Sequence, residues 1–263
     1  MKRLVQAGFL IALFMPTVAM AQSSFDGTWK IDLSKVELPK KPDVLLLQGG
    51  MYQCKTCIPA INIKADGQDQ KVSGDPYVDS MSIKVVDDHT VLETDKKGGK
   101  TVGTSTTTVS KDGTTAAFEF TDSSNTNGAP VTGKGMMTRV EKGPAGSHAI
   151  SGSWRTSKLD SVSDNGLQLT FKVEGDSLHM SDPTGHSYAA KLDGTDAPYK
   201  GDPGTTSVSV KRISKDVIEE TDKRDGKAIS IAKMTVSEDG KTITFDVNNV
   251  RQGTTSKFVG IKQ

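Results

Sequence analysis

The sequence of 263 residues has few aromatic residues and no excess of charge of either sign. Phenylalanine, tyrosine and tryptophan make up 5% of the chain, which leaves few side chains to build an aromatic ligand cage. Lysine and arginine number 33, and aspartate and glutamate number 32. This balance gives no electrostatic attraction to nucleic acid or to an anionic membrane surface, so we expect neither as a partner. After the N-terminus no stretch is apolar enough to predict a transmembrane segment.

Cysteine is also scarce, since Cys54 and Cys57 are the only two. A structural zinc site would need two more ligands, and covalent haem attachment would need a histidine directly after the pair. A redox-active pair would need the start of a helix, whereas this pair follows a strand-like run. We therefore expect a local disulfide, which closes a small loop and stabilises the fold less than a long-range bridge.

Catalytic and cofactor motifs are missing as well. The chain has no Gly-x-Ser-x-Gly nucleophile motif, no twelve-residue calcium loop and no glycine-rich phosphate loop. His179 and His186 flank a turn that contains proline and could approach each other as a metal pair, but solvated loop histidines explain them more simply. The sequence therefore predicts no enzyme, no cofactor and no bound metal.

Residues 1–21 have the pattern of a signal peptide. Lys2 and Arg3 precede a mostly apolar stretch, and Ala19-Met20-Ala21 matches a cleavage site. We expect the mature protein to begin at Gln22 and to be periplasmic or secreted.

The rest of the chain alternates short strand-like runs with turns rich in glycine, aspartate and proline. Apolar residues at helical spacing are absent, which predicts an all-β fold. The segment 64–122 matches 191–249 without a gap, with roughly 23 of about 59 positions identical, which indicates an internal duplication. The only two tryptophans also repeat, in Gly27-Thr28-Trp29 and Gly152-Ser153-Trp154.

The duplication predicts two homologous domains, 22–146 and 147–263, with a linker at Gly143-Pro144-Ala145-Gly146-Ser147. Each copy has room for about eight to ten short strands, and an open sheet of that size tends to close because its edges are exposed. We expect two tandem antiparallel β-barrels. The alternative is one larger barrel or sandwich to which both copies contribute strands.

The opening Gly27-Thr28-Trp29 resembles the Gly-x-Trp strand that begins the barrel of calycins, the superfamily of lipocalins and fatty-acid-binding proteins. The end of the first copy, with Arg139, is similar to the last strand of those barrels, which carries an arginine. The two-copy plan also resembles that of a family of exported bacterial proteins. The second copy departs from the calycin pattern because its closing strand, residues 257–262, contains no arginine.

The resemblance implies that the protein binds a small hydrophobic or amphipathic molecule inside a barrel. Arg139 and Tyr52 are the candidate ligand contacts. For Arg139 the favoured alternative is structural: it would lie across Trp29 and close the end of the first barrel, with Trp154 closing the second. The competing function is an envelope structural or protein-interaction module whose barrels are filled by their own side chains.

Overall fold

A computed structural model describes residues 23–125 and 127–263. The predicted signal peptide, 1–21, lies outside these residues. The described chain is all-β, with two short 3₁₀ turns at Leu33–Lys35 and Asp164–Gly166, and its strands form two antiparallel sheets of ten strands each. No helix in this part of the chain has the length and apolar character needed to cross a membrane.

The first sheet curls into a nearly closed barrel, here called barrel one. In spatial order its strands run β4-β3-β2-β11-β10-β9-β8-β7-β6-β5. A bridge between Asp66 and Lys84 joins the region after β4 to β6. The strands are β2 (Asp43–Gln48), β3 (Met51–Cys54), β4 (Ile61–Lys64), β5 (Gln70–Lys71), β6 (Ser80–Val85), β7 (Thr90–Lys97), β8 (Lys100–Val109), β9 (Thr115–Asp122), β10 (Val131–Lys142) and β11 (Gly152–Val162).

The second sheet repeats this plan and forms barrel two. Its spatial order is β14-β13-β12-β1-β20-β19-β18-β17-β16-β15, and a bridge between Ser187 and Lys200 brings its two edges together. The strands are β1 (Gly27–Ile31), β12 (Gln168–Glu174), β13 (Ser177–Ser181), β14 (Ser187–Lys191), β15 (Asp193–Pro198), β16 (Ser207–Ser214), β17 (Val217–Arg224), β18 (Lys227–Val236), β19 (Thr242–Asn249) and β20 (Thr254–Lys262).

Two strands cross the domain boundary that the duplication predicts at 146/147. The Trp29 strand, β1, pairs with β12 and β20 in barrel two, and the Trp154 strand, β11, pairs with β10 and β2 in barrel one. Barrel one is therefore the continuous segment 43–162, inserted between the first strand of barrel two and the other nine. The prediction of two barrels is confirmed, while the idea that the copies share strands holds only for this exchanged pair.

The exchange has a local cause at the seam between the copies. β10 and β11 follow each other in the chain and pair antiparallel, with Arg139 opposite Trp154, and closing such a short loop costs less entropy than pairing β10 with the distant β1. Gly152 fits this junction because its φ is +132° and a Cβ there would lie 2.3 Å from the Glu141 carbonyl oxygen. The glycine of the Gly-x-Trp phrase is thus required by the backbone.

Each barrel has its own apolar core, and one tryptophan lies fully buried in each. Trp154 belongs to the barrel-one core and Trp29 to the barrel-two core, and both side chains are 0% exposed. The indole Nε1 of Trp29 donates to the Phe25 carbonyl oxygen at 3.0 Å, and that of Trp154 donates to the Ile150 carbonyl oxygen at 2.7 Å. Every polar atom of these two rings is therefore satisfied inside the core.

Candidate functional site

One end of each barrel is closed by a cation stacked on its tryptophan. The guanidinium carbon of Arg139 lies 3.9 Å from the centre of the Trp154 ring, and the ammonium of Lys262 lies 5.1 Å from the centre of the Trp29 ring. The expectation that Arg139 would lie across Trp29 is wrong, because the exchanged strands bring Trp154 beside β10. The second copy also has a cation at this position, since Lys262 takes the place of the arginine.

Arg139 is committed to the backbone around it. It donates to the carbonyl oxygens of Ser151 and Ala149 at 2.6 Å each, and also to that of Gly113. Partial burial lowers the pKa of this guanidinium. Because the pKa of arginine is very high, the side chain still carries its charge at any ordinary pH. With its donors directed at three carbonyls, Arg139 lines neither of the two spaces described below.

The other residues singled out in the first copy lie in or beside the barrel-one core. Tyr52 is 7% exposed, burial raises the pKa of its phenol, and it lines neither space. Cys54 and Cys57 lie at disulfide distance, with Sγ atoms 2.04 Å apart, as predicted. The sequence singled out Tyr52 as a ligand contact, yet the structure places it with the packed side chains.

The two histidines proposed as a conceivable metal pair have separate partners. His186 Nδ1 lies 2.9 Å from Asp182 Oδ2, and His179 Nε2 lies 3.6 Å from Glu174. The hydrogen bond to Asp182 raises the pKa of His186, and Thr184 Oγ1 also donates to Asp182 at 2.6 Å. This network holds the loop that corresponds to the disulfide loop of the first copy. Among the described residues, no cluster of three or more potential ligands could hold a metal ion.

The most unusual groups are paired acidic residues inside each barrel. Glu220 and Asp222 alternate along β17, as Glu93 and Asp95 do along β7. Alternate residues of a strand face the same side of a sheet. Val91 lies two residues before Glu93, and Ile218 lies two residues before Glu220, and both belong to the apolar cores. The repeated phrase Glu-Thr-Asp-Lys therefore directs two carboxyl groups inward in each copy.

Burial strongly perturbs these carboxyl groups. Loss of solvation raises the pKa of Glu220 to about 8 and that of Asp222 to about 6. In barrel one the same cause raises the pKa of Glu93 to about 7 and that of Asp95 to about 6. Near neutral pH each barrel thus holds acidic groups that are close to their protonation midpoints.

In barrel two the acidic pair lines a cavity of about 330 Å³ that opens to the outside, here called the barrel-two cavity. Its wall is otherwise mostly apolar and includes Phe171, Met234 and Phe245. The Tyr188 hydroxyl donates to Glu220 Oε2. The space therefore combines an apolar wall with a few convergent polar groups, which is the usual character of a small-molecule site.

A second space, the inter-barrel cleft, has a volume of about 650 Å³ and lies between the barrels. Residues of both copies line it, among them Asp95 and Phe120 of barrel one and Leu169 of barrel two. Leu169 and Ile31 also line the barrel-two cavity, so the two spaces adjoin. The cleft is larger than the cavity and is lined by residues of both barrels.

Corresponding loops of the two copies meet beside this cleft. The Tyr77 hydroxyl donates to Asp202 Oδ1 at 2.7 Å, and the ring packs so closely on Gly204 that a Cβ there would lie 1.8 Å from the Tyr77 oxygen. Tyr77 and Gly204 occupy equivalent positions of the repeat. The repeated Gly-Asp-Pro phrase thus also forms a contact between the barrels.

The acidic pairs of the repeated Glu-Thr-Asp-Lys phrase were not among the candidate site residues that the sequence indicated. The sequence did contain a signal, because Val91, Glu93 and Asp95 are alternate residues of one strand-like run and therefore share one face. Alternation that includes acids on the apolar face is unusual, because burying a charge is costly. The pairs therefore mark a place where packing alone does not explain the residue choice.

Together these features define a duplicated antiparallel β-barrel protein whose second barrel contains an acidic, largely apolar cavity. Comparison of the chain with protein-family models, with curated proteins and with solved structures finds no match.

Proposed function

We propose that the protein is a binding protein without catalytic activity that holds one small amphipathic molecule inside barrel two. The observation that carries the proposal is the open cavity of about 330 Å³ with a largely apolar wall in barrel two, a size suited to a small organic ligand. Phe171, Met234 and Phe245 supply apolar contact area, and Glu220 and Asp222 supply polarity. The ligand is thus expected to bury an apolar body and to present one polar end.

The resemblance of the sequence to calycins supports this proposal. Both barrels are antiparallel and nearly closed, and each begins one strand with Gly-x-Trp and stacks a cation on the tryptophan. In barrel two that end plug, Trp29 with Lys262, leaves room for a ligand farther inside.

A periplasmic or secreted location is part of the same proposal. The N-terminal signal pattern carries it, and the Cys54–Cys57 pair at disulfide distance supports it, since disulfides persist in oxidising compartments.

The test is a titration of the purified protein with N-phenyl-1-naphthylamine, a neutral apolar dye whose fluorescence rises in an apolar site. We expect saturable binding of about one dye per chain. Ala232 lines the cavity, so Ala232→Phe should abolish the signal. Its repeat equivalent, Ser105, lines the cleft, so Ser105→Phe is the matched control and should leave binding unchanged.

Two other results would contradict the cavity proposal. Loss of binding in Ser105→Phe alone would place the dye in the inter-barrel cleft and contradict the cavity proposal. Absence of saturable binding by the wild type, with no small molecule retained in native mass spectrometry, would favour the structural or protein-interaction module instead. Circular dichroism of both variants checks that they remain folded.

A further inference from the structure

The wall of the barrel-two cavity carries charge of only one sign. Its ionisable lining residues are Glu220, Asp222 and Tyr199, and it contains no lysine, arginine or histidine. The nearest cation on the same strand, Lys223, is paired with Asp196. The buried acids of barrel two therefore have no basic partner within the cavity, although a buried carboxylate is normally paired.

One acidic oxygen has no hydrogen-bond partner. Among the described residues, the Asp222 side chain has a fully buried Oδ1 atom that no group contacts by a hydrogen bond. The equivalent atom of Asp95 in barrel one shows the same property. Glu220 is only partly satisfied, since Tyr188 donates to its Oε2. An unsatisfied buried acceptor destabilises the fold, and its occurrence at the same position of both copies argues against an accident of packing.

We propose that the barrel-two cavity selects a ligand with a cationic amine head, which Glu220 and Asp222 hold while the apolar wall encloses the rest of the molecule. The inference rests on the proposed function and names the class of ligand. An ammonium group offers three donors and a positive charge, so it supplies both the partner that Asp222 Oδ1 lacks and the counter-charge that the wall lacks. Charge-assisted hydrogen bonds of this kind are the stronger ones.

Other ligand classes fit the cavity less well. An anionic head, such as the carboxylate of a fatty acid, would face two acids and no base. A calcium ion takes six to eight oxygen ligands, whereas two carboxyl groups and phenols converge here. A neutral alcohol could donate one hydrogen bond but would leave the charge unbalanced.

The groups that face Glu220 make the pH dependence definite. They are Asp222 on the same strand, Tyr188 from β14 and Tyr199 next to β15; Asp202 lies farther out and faces Asp222 and Tyr199. Without a ligand, burial raises the pKa of Glu220 to about 8, so this acid is mostly protonated at pH 7. An amine cation lowers that pKa and releases a proton on binding, so affinity for the amine should rise as the pH rises from 5.5 to 8.

The experiment compares three molecules that differ only at the head: 4-phenylbutylamine, 4-phenylbutanol and 4-phenylbutanoate. Isothermal titration calorimetry at pH 8 should show the amine binding about ten- to a hundredfold more tightly than the alcohol, with no binding of the acid. Asp222→Asn and Glu220→Gln should each remove most of that preference while alcohol binding persists. Glu219→Gln, which alters an exposed acid on the same strand, is the matched control and should retain the preference.

The outcomes separate this inference from the proposed function. Equal affinity for amine and alcohol would overturn the amine inference and leave the apolar cavity as a binding site. Preferred binding of the acid would also overturn it. No binding of any of the three, combined with no binding of the neutral dye, would overturn both. Heats measured in buffers of different ionisation enthalpy should report proton release with the amine and none with the alcohol, and equal values for the two would count against the role of Glu220.

Discussion

Glutamine in place of Glu220 should stabilise the ligand-free protein at pH 8 and change little at pH 4.5. Burial raises the pKa of Glu220 from its ordinary value of 4.5 to about 8. Below pH 4.5 the Glu220 carboxyl is protonated in both the folded and the unfolded state, so burying it carries no charge penalty and the folded state has its full stability. Between pH 4.5 and 8 only the folded state holds it, so stability is lost as the pH rises.

The size of the effect follows from the same window. One proton contributes about 1.4 kcal/mol per pH unit, which sets an upper limit of about 5 kcal/mol at pH 8. Water that enters the cavity solvates the acid, so we expect Glu220→Gln to gain on the order of 3 kcal/mol. For a chain of this size that gain raises the melting temperature by about 6–12 °C. Glu93→Gln should give a smaller gain in the same direction, since the pKa of Glu93 rises only to about 7.

The assay is thermal unfolding of ligand-free protein between pH 4.5 and 8, followed by circular dichroism and calorimetry. The wild type should melt at lower temperature as the pH rises from 5.5 to 8, and Glu220→Gln should flatten this dependence. Glu219→Gln changes an exposed neighbour and should stay within about 0.5 kcal/mol of wild type. A wild type that becomes more stable from pH 5.5 to 8, or a Glu220→Gln variant that is destabilised at pH 8, would refute the reasoning.

Four further substitutions test the structural contacts by chemical denaturation. Arg139→Met should lower the free energy of unfolding by about 2–4 kcal/mol, because it removes the stacked cation and leaves buried carbonyls without donors. Lys262→Met should lower it by less than about 1 kcal/mol. Equal losses would contradict the difference between the contacts of the two cations. Tyr77→Phe should lower the free energy of unfolding by about 1 kcal/mol. The two barrels should then unfold in separate transitions, which the fluorescence of their two tryptophans would report. An unchanged single transition would show that the hydrogen bond to Asp202 does not couple the barrels. Cys57→Ser should cost about 2 kcal/mol by the loop-entropy relation, and a loss above about 4 kcal/mol would mean that the bridge does more than close its loop.

The strand content and the two-barrel plan follow from local signals in the sequence. Turn residues such as those around Asp112-Gly113 and Asp239-Gly240 mark hairpins, and the gapless repeat makes two similar units necessary. Strand exchange is not visible at this level. Because Gly27-Thr28-Trp29 and Gly152-Ser153-Trp154 are nearly interchangeable, either strand satisfies the edge of either barrel. The choice depends on chain connectivity, which favours the short hairpin at the seam.

The candidate site was harder to predict than the fold for a different reason. Family resemblance directed attention to Arg139 and Tyr52, whose side chains are used in packing. The acids Glu220 and Asp222 have ordinary identities for surface positions, and only their alternation with core residues along β17 distinguishes them. Their cavity is formed by side chains from strands far apart in sequence, from Ile31 to Phe258, and such a space has no local signature.

The insertion of one barrel between β1 and β12 also imposes an order on synthesis. Barrel one, 43–162, can fold as soon as its last strand has been made, because all of its strands are contiguous. β1 is translated before every other strand, yet its partner β20 ends at Lys262. At typical elongation rates of about 5–20 residues per second the interval is roughly 10–50 s. During that time the strand carrying Trp29 lacks at least one of its two neighbours, β12 and β20, so the last barrel to close depends on the first strand to be made.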